Sequence, residues 1–347
     1  MDTLGIGIIG TGRIAHSHLE SLAKHSGAKA IAVMDVLANR AEAVAKQYGV
    51  PHADTDLDAL LARPEVDAVI VATPPVAHFA PVMAALDAGK HVLCEKPFSL
   101  NVDEAKRMTA RAAEVGTHLC VASARFRCGA EAIAAQKIAS SGELGTLFHI
   151  RASSFRQRGR PGLDFWPDAP WFLDKSKAGG GPLMDLGVYE IDLMMWLLGN
   201  PKVKTVTATT FHGVGKGAPE GVVYDVEDQA NLMIVTETGA SAFLEIGWST
   251  NISGAAGRFI WGSKAGLRFG PLTKVSEPMV ENKLTEIRVL GDEVANASGF
   301  GDVTEQFATA LIAGREPWTP ARDGLVVTQV MDAAYRSAAS GGSVTLA

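Results

Sequence analysis

Asp185, Tyr189, Asp192 and Trp196 stand at spacings i, i+4, i+7 and i+11. On an α-helix those positions share one face. A core face would be aliphatic, so two carboxylates and a phenol in that stripe require hydrogen-bonding partners or a wet pocket. Such a set can accept hydrogen bonds from substrate hydroxyls and move a proton at a phenol oxygen. It can equally form a structural polar network between helices. Leu186, Ile191, Leu193, Met194 and Leu197 supply apolar packing on the other flank, and Gly187, unfavourable in a helix, implies a close approach there. A second candidate is Lys96, in Cys94-Glu95-Lys96-Pro97 at the end of a short apolar run. In doubly wound sheets ligands bind beyond the carboxyl ends of strands, which aims Lys96 at such a crevice.

The chain opens with an apolar run that ends in Gly10-Thr11-Gly12-Arg13-Ile14-Ala15. In this pattern the first glycine permits a tight turn, the second lets backbone approach a pyrophosphate, and the small third residue lets helix and sheet pack. The N–H groups that open the helix, from Arg13 and Ile14 onward, attract phosphate. Asp35 follows at the end of the second apolar run, where a carboxylate accepts hydrogen bonds from ribose hydroxyls and disfavours a 2′-phosphate. NAD is therefore the expected cofactor, with NADP admitted by Arg40 one helical turn further on.

Together, the glycine pattern, Glu95-Lys96-Pro97 and the Gly179-Gly180-Gly181…Asp185-x-Gly187-x-Tyr189-x-x-Asp192 block resemble the Gfo/Idh/MocA family of NAD(P)-dependent oxidoreductases. The resemblance spans nearly the whole chain, including Tyr335-Arg336-Ser337 in the closing helix. It implies a dehydrogenase or reductase acting on CH–OH groups of sugars, inositols or related polyols. By the resemblance, Lys96 matches the family's active-site lysine and Asp185 its substrate-contacting aspartate. Tyr189 stands where many members have histidine; those resembling glucose–fructose oxidoreductase and dihydrodiol dehydrogenase have tyrosine. The exchange moves the intrinsic pKa of the proton donor from about 6.5 to about 10. Thr73-Pro74-Pro75-Val76-Ala77-His78 is similar to the family's Thr-Pro-Asn-x-x-His turn, with Pro75 in place of asparagine. Ser123-Ala124-Arg125-Phe126 is similar to its Asn-x-Arg-Phe segment, with Ser123 in place of asparagine. Thr73, Pro74, His78, Glu95, Lys96 and Arg125 thus join Gly10, Thr11, Gly12, Arg13, Ile14, Asp35 and Arg40 as cofactor-site residues. The catalytic set is Lys96, Tyr189 and Asp185, with either Tyr189 or Lys96 carrying the proton. Asp192 is expected to touch substrate, or to orient Tyr189 within a hydrogen-bond network. Alternatives of a different class are a redox-neutral, NAD-dependent glycoside hydrolase on the same scaffold and a non-catalytic NAD-binding sensor.

Residues 156–177 form a polar and aromatic loop just before the catalytic block. Arg156 and Arg158 could bind hydroxyls or an acidic group, and Trp166 and Trp171 could cover the apolar faces of a sugar ring. The other reading is an arm packed on a neighbouring subunit. The sequence carries no metal-binding motif.

The elements that must position these residues follow from periodicity. Up to residue 122, short apolar runs (4–9, 30–34, 68–72, 91–93, 118–122) alternate with amphipathic segments at 38–48 and 75–88 and one opening at Asn101, where Glu104 suggests a capping box. That alternation predicts a parallel sheet covered by helices, hence a Rossmann dinucleotide-binding domain over 1–122. Beyond it, helices at 130–140 and 183–198, β segments between 203 and 290, and closing helices near 303–313 and 325–340 predict an α+β domain over 123–347. The resemblance gives this domain a large, mostly antiparallel open sheet, with the closing helix packing back on the first domain. Two domains suit 347 residues, 47% of them hydrophobic. A net charge of −6 excludes the basic footprint of a nucleic-acid binder. Three cysteines, Cys94, Cys120 and Cys128, make no disulfide framework. No apolar stretch is long enough for a membrane span, and the start lacks a secretory pattern, so the cytoplasm is expected. Ala242, Leu244 and Ile246 suggest a sheet face too large for two helices to cover, hence a homodimer or homotetramer through that sheet.

Overall fold

The computed structural model describes residues 3–215, 217–280, 283–290 and 302–346. The chain divides into two compact units, residues 1–124 with 302–328 and residues 125–301 with 329–347.

The first unit alternates strands and helices: β1 (Leu4–Ile9), α1 (Arg13–Lys24), β2 (Ala28–Met34), α2 (Ala38–Tyr48), β3 (His52–Asp54), α3 (Leu57–Leu61), β4 (Ala68–Val71), α4 (Phe79–Asp87), β5 (His91–Cys94), α5 (Val102–Val115) and β6 (Leu119–Val121). The sheet order is β3-β2-β1-β4-β5-β6, and every pairing is parallel. Helices on both faces explain why β1 and β4 are buried at every residue, and why their sequences are continuous apolar runs rather than alternating ones. The order reverses between β1 and β4, the switch point where such sheets bind ligands. Local chemistry sets the helix ends. Asn101 caps α5 by accepting from the Glu104 N–H at 2.9 Å, and Gly116 ends that helix in the left-handed conformation. The expected helix over 75–88 is a short 3₁₀ turn (Pro75–Ala77) followed by α4.

The helix Val303–Ile312 returns to the first unit. Val303, Phe307, Ala308 and Leu311 pack into the same core as Leu19, Leu22 and Ile70. The long helix Ala321–Ser340 carries the division between the units, at 328/329.

The second unit contains α6 (Ala130–Ser141), β7 (Leu147–Phe155), α7 (Lys175–Ala178), α8 (Val188–Leu197), β8 (Val203–Phe211), β9 (Gln229–Thr236), β10 (Ser241–Gly247), β11 (Gly257–Gly262), β12 (Ala265–Arg268), β13 (Thr273–Val280), β14 (Lys283–Arg288) and β15 (Val344–Thr345). Nine strands form one sheet, β14-β13-β12-β11-β7-β10-β9-β8-β15, antiparallel except where β7 meets β10. Ala242, Leu244 and Ile246 of β10 are each 0% exposed. This corrects the expectation that they form an uncovered face. They alternate inward with Ile150, Leu232 and Ile234, and Gly187 lets the start of α8 approach Leu244 closely. The opposite face carries two cross-strand rows, Phe259–Arg151–Phe243–Met233 and Trp261–His149–Ser241–Val235.

Phe307 is fully buried, so Phe307→Ala should destabilise the first unit by about 3–5 kcal/mol. Urea unfolding checks this; a loss below about 1 kcal/mol would show that the returning helix is dispensable to that core.

Candidate active site

The glycine turn at the end of β1 is tight because Gly10 has φ +91°, and a Cβ there would lie 2.9 Å from the Ala72 carbonyl oxygen. Only glycine combines that conformation with that contact. Gly12 precedes α1 with open space where a side chain would be, and no side chain caps the helix, an N-terminus of the kind that attracts an anion. Arg13 is exposed, and Ile14 is half-buried against the core. Asp35 follows β2 and is tied to the turn: its Oδ2 accepts from the Thr11 N–H (3.0 Å) and hydroxyl (2.7 Å), and its Oδ1 from the Leu37 N–H (3.0 Å). Burial alone would raise the Asp35 pKa, but these bonds and the charge of Arg40 hold it below the usual aspartate value. An ionised carboxylate beside a glycine-lined helix N-terminus fits a dinucleotide.

Two expected cofactor residues instead brace the loops. His78 is 0% exposed, with Nε2 2.9 Å from the Thr73 carbonyl and Nδ1 2.9 Å from that of Pro97. Burial pushes its pKa down. A ring enclosed on both edges joins the β4 and β5 loops. Thr73 donates to the Ala77 carbonyl, and Pro74 is exposed beside it. Glu95 is 3% exposed; one oxygen faces His18 Nε2 at 2.9 Å and the other accepts the Lys96 N–H at 3.0 Å. His18 also meets the Thr304 hydroxyl at 2.7 Å. Glu95 is thus a buried brace under half-buried Lys96, linked to α1. Arg125 lies on a short 3₁₀ turn (Ala122–Phe126), at the start of the second unit.

In the second unit the catalytic block is a π-helical turn, Leu183–Gly187, running into α8. The extra residue of a π turn alters the facing of Asp185 relative to the rest of the stripe. Asp185 accepts a hydrogen bond from Trp248 Nε1 at 3.0 Å. Tyr189 packs its ring 5.2 Å from that of Phe126. Phe126 lies under the Arg258 guanidinium, which forms a bidentate pair with Glu190 at 2.7 Å on both arms. Glu190 immediately follows Tyr189, so the tyrosine is clamped by a loop of contacts that returns to its own neighbour.

Asp192 is 0% exposed, and Arg127 grips both its carboxylate oxygens at 2.6 and 2.8 Å. The Arg127 guanidinium also lies over Trp196. This corrects the expectation that Asp192 touches substrate: its acid is neutralised inside the fold.

The entry to this block is set by Glu227. Its carboxylate accepts from the Gly181 N–H (2.9 Å), the Leu183 N–H (3.1 Å) and the Tyr335 hydroxyl (3.0 Å). Burial raises the pKa of both Glu227 and Tyr335. Any Cβ at Gly180 would lie 1.8 Å from the Tyr335 hydroxyl oxygen, and one at Gly181 2.1 Å from the Glu227 carbonyl oxygen. Gly180 and Gly181 are therefore packing requirements, and Gly179 ends α7 in the left-handed conformation at φ +83°.

The loop ahead of it is anchored by Arg160, 2% exposed, which pairs with both oxygens of Asp164 and donates to the Val214 carbonyl. Arg158 donates to Asn251 Oδ1 and the Thr250 carbonyl, and Arg156 to the Gly159 carbonyl. Both arginines shape the loop itself, which departs from their expected role on substrate. Trp171 stacks on Phe172 at 3.8 Å, and Trp166, 41% exposed, meets Phe165 edge-on at 4.7 Å. Sequence reading missed Trp248, Glu227, Arg127, Arg258 and His18, since each acts by a partner remote in the chain. The adjacent acids Glu227 and Asp228, at the head of an apolar strand, were the one available signal.

Comparisons with known proteins bear on the family and the fold. Residues 4–123 match the family model described as an oxidoreductase family, NAD-binding Rossmann fold, and residues 132–268 match the GFO/IDH/MocA C-terminal domain. The chain is 28% identical to D-glucoside 3-dehydrogenase of Escherichia coli, over 99% of this chain and 97% of that one. It is 26% identical to scyllo-inositol 2-dehydrogenase (NAD(+)) of Bacillus subtilis, over 98% and 95%. The crystal structure of an oxidoreductase domain protein from Kribbella flavida is similar throughout both chains, with TM-score 0.85 and 27% identity.

Arg127→Met leaves Asp192 buried and unpaired, and should cost about 3–5 kcal/mol in urea unfolding. Replacing both, Arg127→Met with Asp192→Leu, should recover most of that while the Michaelis constant for the alcohol stays within a few-fold. A large rise in that constant would return Asp192 to the substrate contacts.

Proposed function

This chain belongs to the Gfo/Idh/MocA oxidoreductase family, and from that premise we propose that it interconverts a ring secondary alcohol and the corresponding ketone on a sugar, inositol or related polyol. It is an NAD(P)-dependent oxidoreductase. The observation that carries the substrate reading lies on one helix. Glu190 and Asp192 are each locked to an arginine, and beside them Asp185 accepts a bond from the Trp248 indole and the Tyr189 ring packs against Phe126. The phenol and that carboxylate are the groups suited to a polyhydroxylated ring. Tyr189, as its phenolate, takes the proton from the reacting hydroxyl, and the positive charge of Lys96 favours that phenolate. Asp185 accepts a hydrogen bond from a neighbouring hydroxyl and orients the ring. Bound NAD supplies the hydride acceptor in oxidation and the donor in reduction. The ionised Asp35 favours NAD over NADP. The three free cysteines suit the reducing cytoplasm as the place of action.

Methyl glucosides, D-xylose, myo-inositol and scyllo-inositol form the test panel, with NADH absorbance as readout. Net NADH formation is expected with at least one of them, and NAD should bind more tightly than NADP in fluorescence titration. Glycoside cleavage without NADH would overturn the reading in favour of redox-neutral hydrolysis. On the active alcohol, Tyr189→Phe and Lys96→Met should each lower turnover by about 10²–10⁴-fold. The double variant should be little worse than the poorer single one, because the two serve one proton transfer.

The outer rows of the large sheet, with Trp261 37% and Met233 39% exposed, support a homodimer or homotetramer built on that face. Light scattering at micromolar concentration should give a multiple of the chain mass, and Trp261→Lys should lower it. A monomer mass for the unaltered chain would overturn the assembly.

A further inference from the structure

Trp248 lies just beyond the end of β10 and is 0% exposed. Its indole fills a small hydrophobic cluster with Leu173 and Val226, against which Leu163, Phe172, Val222 and Tyr224 pack. Packing alone could be met by an aliphatic side chain or a phenylalanine. A buried indole N–H, in contrast, must find an acceptor. The acceptor here is the carboxylate of Asp185, at 3.0 Å, so the bond is charge-assisted and of the stronger kind.

Asp185 needs such a partner because of where it sits. The π-helical turn Leu183–Gly187 departs from regular helical packing, and Glu227 pins its backbone only at Gly181 and Leu183. The carboxylate of Asp185 accepts a directional bond from a side chain of another element. We infer that Trp248 is a positioning residue: its N–H fixes the Asp185 carboxylate in the orientation that receives a substrate hydroxyl, so that Trp248 governs substrate affinity. The cluster extends the effect, since Leu163 and Phe172 come from the aromatic loop, and Val222, Tyr224 and Val226 from the connection between β8 and β9. Displacement of either segment is transmitted through the indole to Asp185.

The inference rests on Asp185 being a substrate contact, and the test separates the two. Trp248→Phe removes the N–H with some volume; Trp248→3-benzothienylalanine, with sulfur in place of N–H, keeps the bicyclic shape if the phenylalanine variant folds poorly. In protein ¹³C-labelled at aspartate carboxyls, the Asp185 resonance is identified by its loss in Asp185→Asn. Its titration midpoint should move up by about one pH unit in the benzothienyl protein, because a bond to the charged form has been lost. With the panel alcohol that forms most NADH, the Michaelis constant should rise about tenfold or more while turnover changes within a few-fold. In an Asp185→Ala background the same replacement should change it less than twofold. An unmoved midpoint, or a Michaelis constant unaltered by the benzothienyl residue while Asp185→Ala raises it, overturns this inference alone. Asp185→Ala with an unaltered Michaelis constant overturns the substrate role of Asp185 and the inference with it.

Discussion

Burying the carboxylate of Glu227 imposes a demand for donors that organises the centre of the second unit. Three donors converge on it, two of them backbone N–H groups at the entrance to the catalytic block and the third the hydroxyl of Tyr335 on the closing helix. The approach is so close that residues 180 and 181 must be glycine. Removing any of these donors leaves a buried acid undersatisfied, which costs more than the bond itself contributes. The π-helical turn carrying Asp185 begins where this clamp ends, so the place of that acid follows from the Glu227 requirement.

The acids of the block then divide by the character of their partners. Glu190 and Asp192 face Arg258 and Arg127 in bidentate pairs, both carboxylates nearly or fully enclosed. Those pairs hold the helix and the Phe126–Tyr189 ring contact in place. Asp185 instead meets the neutral Trp248 N–H. A bidentate guanidinium neutralises a carboxylate, whereas an indole N–H adds a directional bond and no charge.

The first unit applies the same economy to the cofactor turn. Thr11 ties Asp35 to the glycine turn, so the carboxylate proposed to read the ribose and the backbone proposed to meet the phosphates form one rigid piece. On the other side of the switch point, His78 joins the loops after β4 and β5, and the His18–Glu95 pair connects α1 to the backbone of Lys96. Both His78 and Glu95 act as internal struts beneath the loops that carry them.

Local signals were enough for much of this. Continuous apolar strands, the Gly10–Ala15 turn, Asp35 and the Asn101 cap are written in consecutive residues, because hydrogen bonds and φ/ψ preferences over a few positions decide them. From these the parallel sheet of the first unit, its cofactor turn and the helical character of 188–197 could be read directly. Tertiary structure alone decided the rest. Which acid is paired depends on Arg127 and Arg258, tens of residues from their partners, and no spacing rule links them. Which face of β10 is buried depends on the helices that cover it, so Ala242, Leu244 and Ile246 read as an exposed patch until α8 is placed. The bond from Trp248 to Asp185 joins positions 63 residues apart and exists only because a π turn and a strand end meet in space. A sequence reports the propensities of neighbours, whereas the energy of a buried charge is set by whatever the fold brings within 3 Å of it.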